Sequence, residues 1–162
     1  MKKLFNMIGK AGYWLIWPVL YVYLRFTTRT RVLIRHGDEL LMVKGWLGDG
    51  SWSLPGGGLH HSEAAAQGAV REVYEETGIT LDPAKLTYLF DRPIRSKHGL
   101  RYRGIAYGIE LPQKPKLKQP KGEISDIKWF LVTELIQYPD AEYLLRPALE
   151  RWGLDLQKYD KL

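Results

Sequence analysis

A chain of 162 residues, 45% hydrophobic and 26% charged, has the length and composition of a soluble globular protein with one sizeable core. It contains no cysteine, which excludes disulfides, thiolate metal sites and a cysteine nucleophile, and which is compatible with a reducing cytosol. The formal charge of +6 favours anionic partners such as nucleotides, nucleic acid or acidic lipid head groups, with simple solubility as the competing explanation.

The chain opens on "MKKLFNMIGK", with three lysines, and continues as "AGYWLIWPVLYVYL", residues 11–24, with no charge at all. Arg25, Arg29 and Arg31 follow. Spanning a bilayer takes about 20 apolar residues; this run is shorter and holds Pro18. No small-residue cleavage site follows it, which argues against a signal peptide. Its apolar positions go all round a helix, so burial on more than one side is expected. Residues 1–26 therefore read as a separate apolar and basic helical segment. It covers the domain, meets a homodimer partner, or lies in an anionic membrane interface, where its Trp and Tyr rings and basic flanks would suit the inner face of a membrane. The expected location is cytoplasmic, peripheral to that membrane if the last reading holds.

Residues 27–162 read as one domain. "TRVLIRHGDELLMVKG" predicts a hairpin turning at "HGDE", and "WSLPGG" a short strand ended by Pro55 and the glycines. "LTYLFDRPI", "RYRGIAYGIEL" and "ISDIKWFLV" predict further strands, with "QKPKLKQPKGE" a basic loop before the last. "AEYLLRPALERW" predicts a C-terminal helix kinked or divided by Pro147. Strands, one central helix, more strands and a final helix make the fold class α+β, a mixed sheet with helices packed on it.

The central helix carries the chemistry. In "GGLHHSEAAAQGAVREVYEETGI", Ser62 is the expected N-cap and Gly78 the stop. Glu72, Glu75 and Glu76 fall at offsets that share one face, and Ala66, Ala69, Val70 and Val73 form the stripe that would face the sheet. Gly68, one turn before Glu72, costs about 1 kcal/mol against alanine in a helix interior, a cost that a cation, a water or a loop needing the room could explain. Three carboxylates on one face repel. Arg71 can reach Glu75 at i+4, and the remaining charge suits a hard divalent cation such as Mg²⁺. Gly56, Gly57 and Gly58 would let the backbone bend close to that face. An ordinary acidic helix face after a glycine turn is the competing explanation.

The whole pattern, Gly57-x5-Glu63-x7-Arg71-Glu72-Val73-x-Glu75-Glu76-x-Gly78-Ile79, resembles the Nudix box of the Nudix hydrolases at every fixed position. The similarity covers roughly Thr30 to Leu135 and leaves the N-terminal segment out. It implies an α/β/α sandwich around a mixed sheet, and hydrolysis of a nucleoside diphosphate linked to another moiety with Mg²⁺ or Mn²⁺. It implies that Glu72, Glu75 and Glu76 bind metal, that Arg71 orients a carboxylate, that Gly57 and Gly78 shape the loops, and that Glu63 braces the motif. By the same resemblance the cation would neutralise the diphosphate, and a carboxylate, or the cation itself, would help water lose the proton that makes it the nucleophile. A further acid outside the box is expected from the family: Glu123, then Asp126. Gly57, Gly58 and His60 are the candidates to lie against the phosphates, with a plain polar loop the stronger reading for His60 and His61.

Substrate identity is less legible. Pro93 lies near a position seen in Nudix ADP-ribose pyrophosphatases, or merely ends a strand. ADP-ribose or a nucleotide sugar is favoured weakly over nucleoside triphosphates and dinucleoside polyphosphates, and capped RNA stays open. Tyr102, Tyr107 and Trp129 could stack on a base, with core packing the stronger reading. "KPKLKQPKG", Arg92, Arg95, Lys97, Arg101 and Arg103 could steer a polyphosphate or be a solvated surface. The alternatives to an enzyme are a non-catalytic nucleotide-binding module of the same fold and a membrane-attached scaffold.

Overall fold

A computed structural model describes residues 2–47, 49–96, 98–120, 122–136 and 145–154. The order of elements is helix α1 (Lys2–Tyr23), strands β1 (Thr28–His36) and β2 (Glu39–Gly45), helix α2 (Ala65–Thr77), strands β3 (Thr87–Arg95), β4 (Arg101–Glu110) and β5 (Ile124–Leu131), and helices α3 (Val132–Leu135) and α4 (Leu145–Arg151). Short 3₁₀ turns occupy Leu24–Phe26 and Pro83–Lys85.

The five strands form one mixed sheet in the order β3-β4-β1-β2-β5. β1 runs parallel to β4, and the other neighbours are antiparallel. Val32, Leu33 and Ile34 of β1 are all fully buried, as expected for a central strand covered on both faces. One face packs Val32, Ile34, Leu41 and Ile105 against Ala69 and Val73 of α2. The other packs Leu33, Leu40, Leu54 and Phe130 against α3 and α4. The result is the mixed sheet with packed helices that the sequence predicts, arranged as the α/β/α sandwich that the resemblance implies.

The expected hairpin is present, but β1 and β2 pair only beside its turn, at Arg35↔Leu40 and His36↔Glu39. Beyond that the strands splay, and residues 53–59 fill the gap. Ser53 exchanges backbone hydrogen bonds with Val43 at 2.9 Å in both directions, and the Pro55 and Gly57 carbonyls accept from Val32 (2.9 Å) and Thr30 (2.8 Å). "WSLPGG" is thus a wedge shared between two strands rather than a strand of its own. Pro93 corrects a second expectation: it lies inside β3, which continues to Arg95. β3 is an edge strand, where a missing N–H is tolerated.

A third cluster seats α1. Its Tyr13, Trp17, Leu20 and Tyr21 pack with Leu24, Leu100 and Tyr102. The Trp14 ring meets His98 edge-on at 4.9 Å, and Gly9 lies so close to the loop after β2 that an added Cβ would fall 2.0 Å from the Trp46 carbonyl oxygen. The helix runs unbroken through Pro18, and among the described residues no helix is long and apolar enough to cross a membrane. Residues 141–144 of the expected C-terminal helix, and Lys97 and Lys121 of the basic runs, lie outside the described residues.

Candidate functional site

α2 begins later than its capping signal suggests. Its N-cap is Ala64, which makes no side-chain bond, whereas Ser62 sits in the left-handed region at φ 63° and turns the loop instead. Gly78 ends the helix at φ 79°, as expected. The helix buries Ala69 and Val73 on the sheet, with Ala66 and Val70 beside them, so its acidic face points along the wedge. The room at Gly68 is taken by the loop: a Cβ there would meet Leu59 at 2.3 Å and the Glu63 carboxylate at 2.8 Å. Gly57 faces Glu72 as closely, since its Cβ would fall 2.4 Å from Glu72 Oε2.

Arg71 organises the carboxylates, with a different principal partner from the one its spacing predicts. Its guanidinium clamps Glu63 in two bonds of 2.9 and 3.0 Å, donates to Glu72 Oε1 at 2.9 Å and to the Gly58 carbonyl at 3.0 Å, and reaches Glu75 only at 3.4 Å. A planar guanidinium matches a carboxylate edge better than a long i,i+4 contact does. These bonds to Arg71, with the His60 backbone N–H at 3.0 Å, hold the Glu63 carboxyl down at about 2. Arg71 is correspondingly raised, first by its bonds to Glu63.

Glu76 behaves in the opposite way. Burial pushes its carboxyl up to about 7, against the pull of Arg31 and of the Gly56 N–H, which donates to Glu76 Oε2 at 2.9 Å. Glu72 adds to the rise. Arg31 also donates to the Gly56 carbonyl. Its neighbour at i−2, Arg29, is lowered by burial and by Arg31, with Glu72 and Glu76 acting in the other direction. In the sequence, Arg29 and Arg31 fall in the basic flank of the N-terminal segment. The signal that they belong here is their alternation in "TRTRV", which puts both on one side of β1.

Glu72, Glu75 and Glu76 do share one side of α2, but they are not drawn together. Glu72 is held by Arg71, Glu76 by Gly56, and the Glu75 side chain is 56% exposed. Among the described residues no three Asp, Glu or His side chains are grouped tightly enough to hold an ion. Each carboxylate answers a different neighbour, and like charges on one helix face repel, which favours such a spread. The donor set itself fits a hard divalent cation: all oxygen, with one carboxyl whose charge is unwelcome in its own surroundings. Glu123 lies exposed just before β5, its carbonyl accepting from Trp46 N–H at 2.9 Å, and its carboxylate makes no hydrogen bond or ion pair with α2 among the described residues. Asp126 bonds the next backbone N–H, of Ile127, at 3.1 Å. His60 and His61 are exposed in the loop, while Tyr107 is core, Trp129 packs against its cluster, and Tyr102 packs in the separate cluster under α1.

A family model described as the NUDIX domain matches residues 25–152. A MutT-like protein of Streptomyces ambofaciens is 28% identical over 131 residues, 80% of each chain. An RNA pyrophosphohydrolase of Pasteurella multocida is 39% identical over 101 residues, which are 62% of this chain and 45% of that one, so the similarity spans less than half of that relative. Among solved structures, the NUDIX domain of Shewanella oneidensis NrtR complexed with ADP ribose aligns with a TM-score of 0.63 at 20% identity, over 77% of this chain and 87% of that one.

Proposed function

From the premise that the chain belongs to the Nudix family of pyrophosphohydrolases, we propose that it hydrolyses the pyrophosphate linkage of a nucleoside diphosphate joined to another moiety. The observation that carries this reading is the meeting of Glu72 and Glu76 with Gly56 and Gly57 beneath Arg29 and Arg31. Glu72, Glu75 and Glu76 would hold Mg²⁺ or Mn²⁺. Bound there, the cation would neutralise diphosphate oxygens and the charge developing as the bond breaks. Arg71 keeps Glu72 and Glu63 in place, so it positions rather than reacts. Arg29 and Arg31 supply fixed positive charge for the phosphates, and the Gly57–Gly58 backbone approaches them with His60 at the loop's rim. Glu123 is assigned the proton from the attacking water. It lies at the end of β5 that pairs with Gly45 of β2, where it must swing toward the helix face to act.

ADP-ribose or a nucleotide sugar is the first substrate class to test, with nucleoside triphosphates and dinucleoside polyphosphates beside it. A second class, the 5′ end of RNA, is supported by the similarity to an RNA pyrophosphohydrolase. A panel of these compounds assayed with Mg²⁺, Mn²⁺ or chelator will identify the linkage cut. Glu75→Gln and Glu76→Gln should each lower turnover by orders of magnitude with the fold intact. Wild-type rates in both variants would sink the assignment of catalysis to the glutamate face.

A further inference from the structure

The family match starts at Arg25, so α1 stands outside it. Its apolar residues resolve into two faces. The inner face, Tyr13, Trp17, Leu20 and Tyr21, is spent on the domain. The outer face is uncovered: Ile8, Leu15, Val19 and Val22 are 58, 82, 70 and 57% exposed, and their spacing puts them on one stripe. Trp14 and Tyr23 flank it at 52 and 62%, and Phe26, 86% exposed, lies where it ends. A contiguous apolar surface of this kind on a protein with a complete core of its own marks a contact with something else.

What that something is follows from the charge at the end of the stripe. Arg25, next to Phe26, lines an open cleft of about 640 Å³ together with Arg92, Arg101 and Arg103 of β3 and β4. Asp91 is the cleft's one carboxylate, and Arg103 takes it in two bonds of 2.8 and 2.6 Å. Arg25 rests on the Tyr21 ring at 5.0 Å and Arg92 on Phe90 at 4.6 Å, contacts that orient the guanidinium planes without neutralising them. Apolar side chains with interfacial aromatics, adjoining a cluster of uncompensated arginines, match an anionic bilayer surface in both of its properties. A second copy of the chain matches only one: it would cover the stripe but bring no negative charge to the arginine cleft, on chains that each carry +6.

We propose that the outer stripe of α1 and the adjoining arginine cleft dock this protein on an anionic lipid bilayer, with α1 lying in the interface and Arg25, Arg92 and Arg101 against lipid phosphates. The full chain is mixed with vesicles of phosphatidylcholine alone or with phosphatidylglycerol added, then sedimented across a range of salt. The intact protein should pellet with the mixed vesicles, and salt should release it. Leu15→Glu with Val19→Glu, both fully outward changes, should weaken binding about tenfold or more while hydrolysis in solution is unchanged. Arg92→Ala with Arg101→Ala should reduce the preference for phosphatidylglycerol and its salt sensitivity severalfold and leave binding through the stripe and Arg25. No binding of the intact chain to mixed vesicles, or undiminished binding by the double Glu variant, overturns the proposal. So does a dimer, seen by light scattering, that the Glu variant dissolves without any vesicle binding. Retention of a 5′-phosphorylated RNA oligonucleotide through Arg92 and Arg101, with vesicles ignored, would overturn it in favour of nucleic acid. The sedimentation, scattering and RNA-retention outcomes do not depend on whether the glutamate face is catalytic.

Discussion

Two carboxyls of the same motif titrate in opposite directions, and each makes a separate prediction. Glu76, raised to about 7, is neutral in folded and unfolded chains alike below its ordinary value of 4.5. As pH rises through 4.5 the unfolded chain ionises first, so stability falls up to about pH 7 and stays low above it. Glu76→Gln should therefore stabilise the metal-free protein at about pH 8 by up to about 3 kcal/mol and leave it unchanged near pH 4, measured by urea unfolding. The same variant should lose turnover, so stability and activity would move apart. Glu63, held at about 2 by Arg71, reverses the sign. Its contribution is present above pH 4.5 and is lost as pH falls from there to 2. Glu63→Gln should lower the melting temperature at neutral pH and flatten its decline across that acid window; an unaltered acid limb would show that the clamp contributes nothing. At this scale the sequence shows which carboxylates share a helix face and less of how they pair. Spacing along a helix selects Glu75 for Arg71, but the loop residue Glu63 is closer in space, and no helical period reports on it.

At the scale of elements, α1 is fixed to the domain by close approach as much as by its aromatic face. Gly9 leaves no room for a side chain against the Trp46 carbonyl, which is backbone and cannot swing aside. Gly9→Val should push the helix off the loop at a cost of about 1–3 kcal/mol and speed proteolysis between α1 and β1, with the hydrolytic rate of the surviving domain preserved. Unchanged protection would mean that α1 is held by the Tyr13–Leu100 cluster alone. The strands and α2 were legible because each carries its own period or turn signal. The wedge was not. Ser53 bonds one strand while Pro55 and Gly57 bond another, and pairing with two partners leaves no alternation in six residues. The two faces of α1 were unreadable for a related reason: when both sides are apolar, only the tertiary contact tells the covered side from the bare one.

At the scale of the molecule, the charge of +6 and the pair Arg29 and Arg31 at the site predict long-range attraction of an anionic substrate. The KM for such a substrate should rise with ionic strength while kcat holds, and a KM indifferent to salt would place the useful charge elsewhere. The sequence pattern located the glutamate face, but it could not bring β1 to it, since the strand and the helix are joined only by the folded sheet. That same sheet governs how the protein comes into being. The parallel ladder of β1 with β4, from Thr28↔Arg103 to Arg35↔Glu110, encloses β2, the wedge, α2 and β3 in a single loop of chain. Closing so long a loop is slow compared with forming a hairpin or a helix turn. A ribosome delivers β1 first, and its Val32-Leu33-Ile34 run must wait, bare, until β4 has emerged. Every carboxylate of α2 is synthesised inside that interval, so a nascent chain carries the complete motif before it has a sheet to aim it.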